Sequence, residues 1–146
     1  MGSWETGQGL NSVGAYQVSG RPFASGSIVA LHGNRPGGYE VVFPYVTRWF
    51  KVINNDIGNK CKVAFTLSGM TGSNNYFTVQ SVSGSVTEAF GSTSNDATSG
   101  ILELKVSSIW ISGSTNVDIV AGLTSIATIR TATATGPNWS GSAGVG

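Results

Sequence analysis

Along this chain apolar and polar residues alternate with a period of two over several short stretches, and no ten-residue window shows a period near 3.6. The clearest alternation covers 60–68. There Cys61, Val63, Phe65 and Leu67 fall on one side, and Lys62, Ala64, Thr66 and Ser68 on the other. Successive side chains of a strand point to opposite faces, so this pattern predicts a strand with one face buried. The second clearest covers 101–106, where Leu102, Leu104 and Val106 oppose Glu103 and Lys105. Val117, Ile119 and Ala121 oppose Asp118 and Val120 in a third. Weaker strand signals cover 15–18, 27–31, 39–43, 48–54, 76–82, 86–90, 108–112 and 125–131. Short strands separated by turn residues predict an all-β fold, a single antiparallel sandwich of jelly-roll or immunoglobulin-like type.

The connections refine this picture. Asn34-Arg35-Pro36-Gly37-Gly38 is expected to turn, because Pro fixes φ and the glycines permit positive φ. Asn54-Asn55-Asp56-Ile57-Gly58-Asn59 lies between two strong strand patterns and reads as a hairpin loop. Gly91 to Gly100 has no apolar periodicity and reads as an exposed loop. Both ends have the composition of flexible arms, yet each carries one tryptophan, Trp4 and Trp139. The expected organisation is an N-terminal arm over 1–14, a sandwich over 15–132 and a Gly/Ser-rich C-terminal arm over 133–146. Arms anchored by a tryptophan are expected to make contacts with neighbours.

Composition narrows the class. The 146 residues include 21 Gly, 20 Ser and 14 Thr, and only 10% are charged. Val and Ile together number 24 against 8 for Leu and Met. A helical bundle needs Glu, Lys, Arg and Ala on its exposed faces, so that class is disfavoured. Eight basic and seven acidic residues make no electrostatic footprint for nucleic acid. No run of about 18 apolar residues occurs, so no membrane-spanning helix is expected. The opening Met1–Thr6 lacks the basic start and apolar run of a secretory signal, which points to synthesis and retention in a cytoplasm. One cysteine excludes an intramolecular disulfide.

Candidate chemistry is sparse. The single His32 precedes the Pro/Gly turn and has no accompanying nucleophile motif. Glu88, Glu103 and Asp118 are the strand-borne carboxylates that a glycosidase pair would need, but each also fits the polar face of its strand. Asn54-Asn55-Asp56 and Ser94-Asn95-Asp96 offer oxygens to a cation, with one carboxylate each and no EF-hand pattern. Cys61 shares a face with Val63, Phe65 and Leu67 and reads as a small buried hydrophobe. No catalytic residue, cofactor site or metal site is therefore expected, and the chain does not read as an enzyme.

Aromatic residues carry the remaining signal. The stretch 48–54 alternates Trp49, Lys51 and Ile53 against Phe50, Val52 and Asn54, and Trp110 opposes Ile109 and Ile111. A one-layer core buries one face of such strands, which leaves Trp49 and Trp110 for a neighbouring subunit, with Arg48 and Lys51 at the rim. The expected partner interface is Trp4, Trp49, Lys51, Trp110 and Trp139. Stacking of these tryptophans on sugar rings, as in a carbohydrate-binding receptor module, is the competing use.

The segment Gly9-Leu10-Asn11-Ser12-Val13-Gly14-Ala15-Tyr16-Gln17-Val18-Ser19-Gly20-Arg21-Pro22-Phe23 resembles the start of small virion structural proteins of marine and cyanobacterial tailed bacteriophages. The similarity extends through Phe43-Pro44-Tyr45-Val46-Thr47-Arg48, Val52-Ile53-Asn54 and Ala121-Gly122-Leu123-Thr124. It implies a capsid decoration or cement protein that binds and stabilises the head shell in many copies. Its partners would be the major capsid protein and neighbouring copies of itself, and its location the virion. A tail or fibre component is the alternative within that class. The stretch from Ser92 to Ser99 departs from the likeness.

Overall fold

The computed structural model describes residues 21–31, 38–72, 74–82, 86–87, 93–94, 97–134 and 136–146. The expected turn at 34–38 therefore lies almost wholly outside the described residues, as do the expected strand at 15–18, the N-terminal arm, His32 and Glu88. The described residues form an all-β fold. The strands are β1 (Arg21–Ile28), β2 (Tyr39–Val42), β3 (Tyr45–Asn54), β4 (Cys61–Ala64), β5 (Tyr76–Val79), β6 (Val86–Thr87), β7 (Thr93–Ser94), β8 (Ser108–Ser112), β9 (Val117–Ala127), β10 (Ala132–Thr133) and β11 (Gly136–Pro137). One helical turn, α1 (Leu67–Thr71), lies between β4 and β5.

Two sheets dominate, with orders β1-β9-β3 and β2-β8-β4-β5, and β6–β7 and β10–β11 make two small ladders. Every strand pairing is antiparallel. Phe50 and Val52 of β3 and Ile119, Ala121 and Leu123 of β9 share one core cluster with Val41, Val63, Val79, Ile109 and Ile111 of the other sheet. The two inner faces thus meet in a sandwich-like arrangement. A relay of rings runs through it, with centroids 5.1 Å apart for Phe23–Phe43, 6.3 Å for Phe43–Phe50, 6.5 Å for Phe50–Phe65 and 6.4 Å for Phe65–Phe77. Such spacings lie within the favourable range for aromatic pairs.

Several expectations need correction. The strand expected over 60–68 stops at Ala64, because the hydroxyl of Thr66 accepts from the backbone N–H of Gly69 at 3.0 Å and starts α1. A threonine hydroxyl at that position satisfies a donor that a continuing strand would leave to a neighbour.

The stretch 101–106 is extended but forms no regular strand. It lies along the free edge of β3, with reciprocal 2.9 and 2.8 Å bonds between Phe50 and Leu102. On either side of that pair hydroxyls take over ladder bonds. Val52 N–H donates to Ser99 Oγ at 2.9 Å, and Thr47 Oγ1 donates to the Leu104 carbonyl at 2.6 Å. Gly100, at φ +71, bends the segment so that Ile101 faces solvent.

The loop expected to be fully exposed over 91–100 is not so at its end, because Ala97 is buried and its carbonyl accepts from Asn54 N–H at 2.8 Å.

Finally, 54–59 is no hairpin loop, since β3 and β4 belong to different sheets. It is a crossover, and a polar knot holds it. Asn54 is fully buried; its amide donates to the carbonyls of Asn59 (2.9 Å) and Gln80 (3.1 Å). The Asn54 oxygen accepts from Asp56 N–H (3.1 Å) and Ser114 Oγ (2.7 Å).

Residues 136–146, expected as an arm, lie back on the chain's own domain. Asn138 N–H donates to Thr131 O at 2.7 Å, and the indole N–H of Trp139 to Phe65 O at 2.9 Å.

Candidate partner-binding face

The alternation of β3 sends Phe50, Val52 and Asn54 inward and Trp49, Lys51 and Ile53 outward. Trp49 pairs in register with Gly122 of β9, and a Cβ there would overlap the indole nitrogen. The ring reaches over the neighbouring strand because that position has no side chain, which is the reason a glycine is needed in mid-strand. By the same alternation the outer row of β9 holds Asp118, Val120 and Gly122, and Pro22 and Ala24 of β1 pair with Gly122 and Val120. Trp49, Ile53, Val120, Ala24 and Pro22 therefore share one apolar outer surface, with Lys51 among them. Pro22 and Ala24 are exposed, and Trp49, Lys51, Ile53 and Val120 are half-buried. Among the described residues, no layer packs over this face.

Trp110 has a different fate. Its neighbours Ile109 and Ile111 point into the shared core, so Trp110 stands on the outer face of the four-stranded sheet. That face is covered from within the chain. Ala64, Met70 and Trp110 form a second buried cluster, with Leu67 and Tyr76 packed against it. Trp110 is 9% exposed. The assumption that one-layer packing leaves both tryptophans for a neighbour fails here, because α1 supplies a local second layer. Trp49 and Trp110 occupy opposite outer faces and do not form one surface. Trp139 is half-buried against the chain's own core, and Trp4 lies outside the described residues. Of the expected interface, Trp49 and Lys51 stand together on a face that no described layer covers.

A groove of about 380 Å³ opens at the edge of the four-stranded sheet, with the exposed side chains of Val42 and Ile129 among its walls. The sequence gives no sign of it, because neither residue belongs to a strong alternation and they are brought together only by the return of the chain after β9. Three of its hydroxyls are engaged within the chain: Ser107 and Thr131 are 2.8 Å apart, Thr131 Oγ1 donates to Thr128 O at 2.7 Å, and Thr133 Oγ1 donates to Gly136 O at 2.6 Å.

The chemistry-bearing side chains do not converge on either surface. Asp118 accepts from Ser27 N–H at 2.9 Å and from the Asn55 amide at 2.7 Å. The hydroxyl and backbone N–H of Thr115, then the Gly58 N–H, hold the Asp56 carboxyl well below the usual carboxylate range. Asn59 adds its own N–H and amide at 3.0 and 3.2 Å. With both oxygens accepting from N–H and O–H donors, Asp56 has no lone-pair direction open to a cation. Burial pushes the Cys61 thiol up to about 12, so it is an inert core group as expected. Among the described residues no three His, Cys, Asp or Glu side chains are grouped as a metal site would require. No described helix is long and apolar enough to cross a membrane.

Compared with protein-family models, with curated proteins and with solved structures, the chain matches none of them.

Proposed function

We propose that this chain is a non-enzymatic bacteriophage virion structural protein that binds and stabilises the head shell in many copies. The observation that carries this reading is the outer face of the three-stranded sheet, an apolar surface around Trp49 that also holds Lys51 and over which no described layer packs. Tryptophan is enriched at the energetic centres of protein interfaces. An apolar face of this kind suits a repeating lattice, where multivalency makes a modest contact per copy sufficient. The burial of Asp56 and Cys61, and the engagement of Asp118 by Ser27 and Asn55, support a binding role over a catalytic one. The resemblance noted in the sequence supports the same class, and its Val52–Asn54 and Ala121–Thr124 segments fall on β3 and β9, the strands that carry this face. Its partners are then the major capsid protein and neighbouring copies, without nucleic acid, membrane or cofactor.

The test is to count and locate the chain in purified virions by quantitative mass spectrometry and cryo-electron microscopy. Hundreds of copies on the head, with the Trp49 face against capsid protein, is the expected result. A few copies confined to the tail would replace shell by tail. Absence from particles would overturn the reading altogether.

A further inference from the structure

The 136–146 strap is built as a small self-wrapped unit. Ser142 N–H donates to Trp139 O (3.2 Å), Val145 N–H to Ser142 O (3.0 Å) and Gly141 N–H to Gly146 O (3.0 Å). Its covalent and ladder link to the rest is thin, since β10 and β11 pair through only Ala132–Pro137 and Thr133–Gly136.

Its seat is made by other parts of the chain. The Phe65 carbonyl receives the Trp139 indole N–H, and the Thr66 hydroxyl is 3.0 Å from both the Val145 and Gly146 carbonyls. Gly69 leaves the space that the Val145 carbonyl fills; a Cβ there would overlap that oxygen. Beside the strap an open groove of about 240 Å³ runs between Trp139 and Val145 on one side and Phe65, Leu104, Lys105 and Val106 on the other. The strap is thus specifically recognised, open to solvent along one side and joined by a short link. These are the conditions under which an identical element passes from one copy to another at little cost, because every contact is kept.

We infer that the strap is exchangeable: Trp139 and Val145 of one copy seat on Phe65, Thr66 and Gly69 of a second copy. The occupant of the seat is then a second copy of this chain, and the seat is completed by its tryptophan. This goes beyond the shell reading and does not use the Trp49 face. Within one chain the strap competes at an effective concentration on the order of millimolar, so exchange in solution emerges as the protein approaches that range. Copies held side by side on a lattice would meet the same condition.

The experiment uses the full chain in solution, without particles, so its failure would leave the shell reading standing. Trp139→Ala spoils the strap but keeps the seat; Gly69→Ala spoils the seat but keeps the strap. Sedimentation at about 1 mM should give dimers or larger species for the wild type and monomers for each variant alone. An equimolar mixture of the two variants should form a one-to-one heterodimer, because one good strap and one good seat are then on different chains. Folded variants, verified by circular dichroism, that stay monomeric when mixed would overturn the inference.

Should either variant fail to fold, a third variant decides. Inserting Gly-Ser-Gly-Ser after Ala134 touches neither strap nor seat but eases the return within one chain. It should lower the wild-type oligomer fraction at least several-fold. An unchanged fraction, or a wild type that is monomeric throughout, overturns the inference equally.

Discussion

The two sheets each present a tryptophan on the outer face, and the chain treats them in opposite ways. Trp110 is enclosed by Ala64, Leu67, Met70 and Tyr76, with the helical turn α1 folded over the sheet to make that enclosure. Trp49 lies on bare sheet, supported by Gly122 beneath it and by no described layer above it. A large aromatic side chain on a strand is thus no guide to its use. What decides is whether the connection after the neighbouring strand returns over it. The β4–β5 connection does so because Thr66 caps a turn of helix, whereas the β3–β4 connection crosses to the other sheet and adds no layer over Trp49.

The largest expected effect falls on the enclosed residue. Trp110→Ala should destabilise by about 3–5 kcal/mol, the cost of emptying a packed aromatic site, with a lowered urea midpoint and an unchanged slope. Trp49→Ala should cost only about 1 kcal/mol, since part of its surface is in water already, while particle binding falls sharply. Equal stability losses for the two would erase the contrast between the faces.

Gly122→Ala sharpens the comparison from below. The added Cβ would displace the Trp49 ring from the sheet, at a cost of about 1–3 kcal/mol for strain and lost contact. Trp49 fluorescence should shift to longer wavelength in a Trp4→Phe, Trp110→Phe, Trp139→Phe background, where Trp49 is the one remaining tryptophan. An unshifted spectrum would mean that the ring does not rest on Gly122.

Acid separates the framework from the face. The folded-state pKa of Asp56 is depressed, so its contribution to stability is complete above the ordinary value of 3.8 and is lost as pH falls below it. Asp56→Asn should lower the thermal midpoint at pH 7, and the gap to wild type should narrow as pH drops toward 3. Binding through Trp49 should be unchanged by this variant wherever it is folded. A gap constant with pH would show that the carboxylate charge is not what the knot uses.

Much of the sheet framework is legible in the sequence, because period-two alternation records burial directly. The stretch 108–112 coincides with β8, and 117–121 opens β9 with the expected inward set. Where hydroxyls or glycines replace backbone partners, the pattern misleads. Phe65 and Leu67 continue the alternation of β4, yet Thr66 turns the chain because its side chain satisfies Gly69. Leu102, Leu104 and Val106 alternate well, but Ser99 and Thr47 side chains take ladder bonds that a regular strand would make through its backbone. The crossover at 54–59 looks like a hairpin because sequence shows only adjacency, and the sheet exchange depends on Ser114 and Thr115, far along the chain. The bare face is half legible: alternation marks Trp49 and Lys51 as outward, but nothing local tells Trp49 from Trp110.

The smallest effect concerns Lys51. It shares the outer row with Trp49 and Ile53, is half-buried there and takes no part in the core. Lys51→Ala should leave stability within about 0.5 kcal/mol of wild type, as for surface substitutions generally. A charge at an interface rim steers encounter more than it holds the complex. Association with particles should therefore slow severalfold at low salt, while the dissociation rate stays nearly constant. Near 1 M salt, where the screening length is about 3 Å, variant and wild type should associate equally. A slower association that persists unchanged at high salt would mean that Lys51 acts by packing its stem against the partner. A faster dissociation instead would place Lys51 inside the contact with Trp49, and the boundary of the bare face would have to be drawn beyond it.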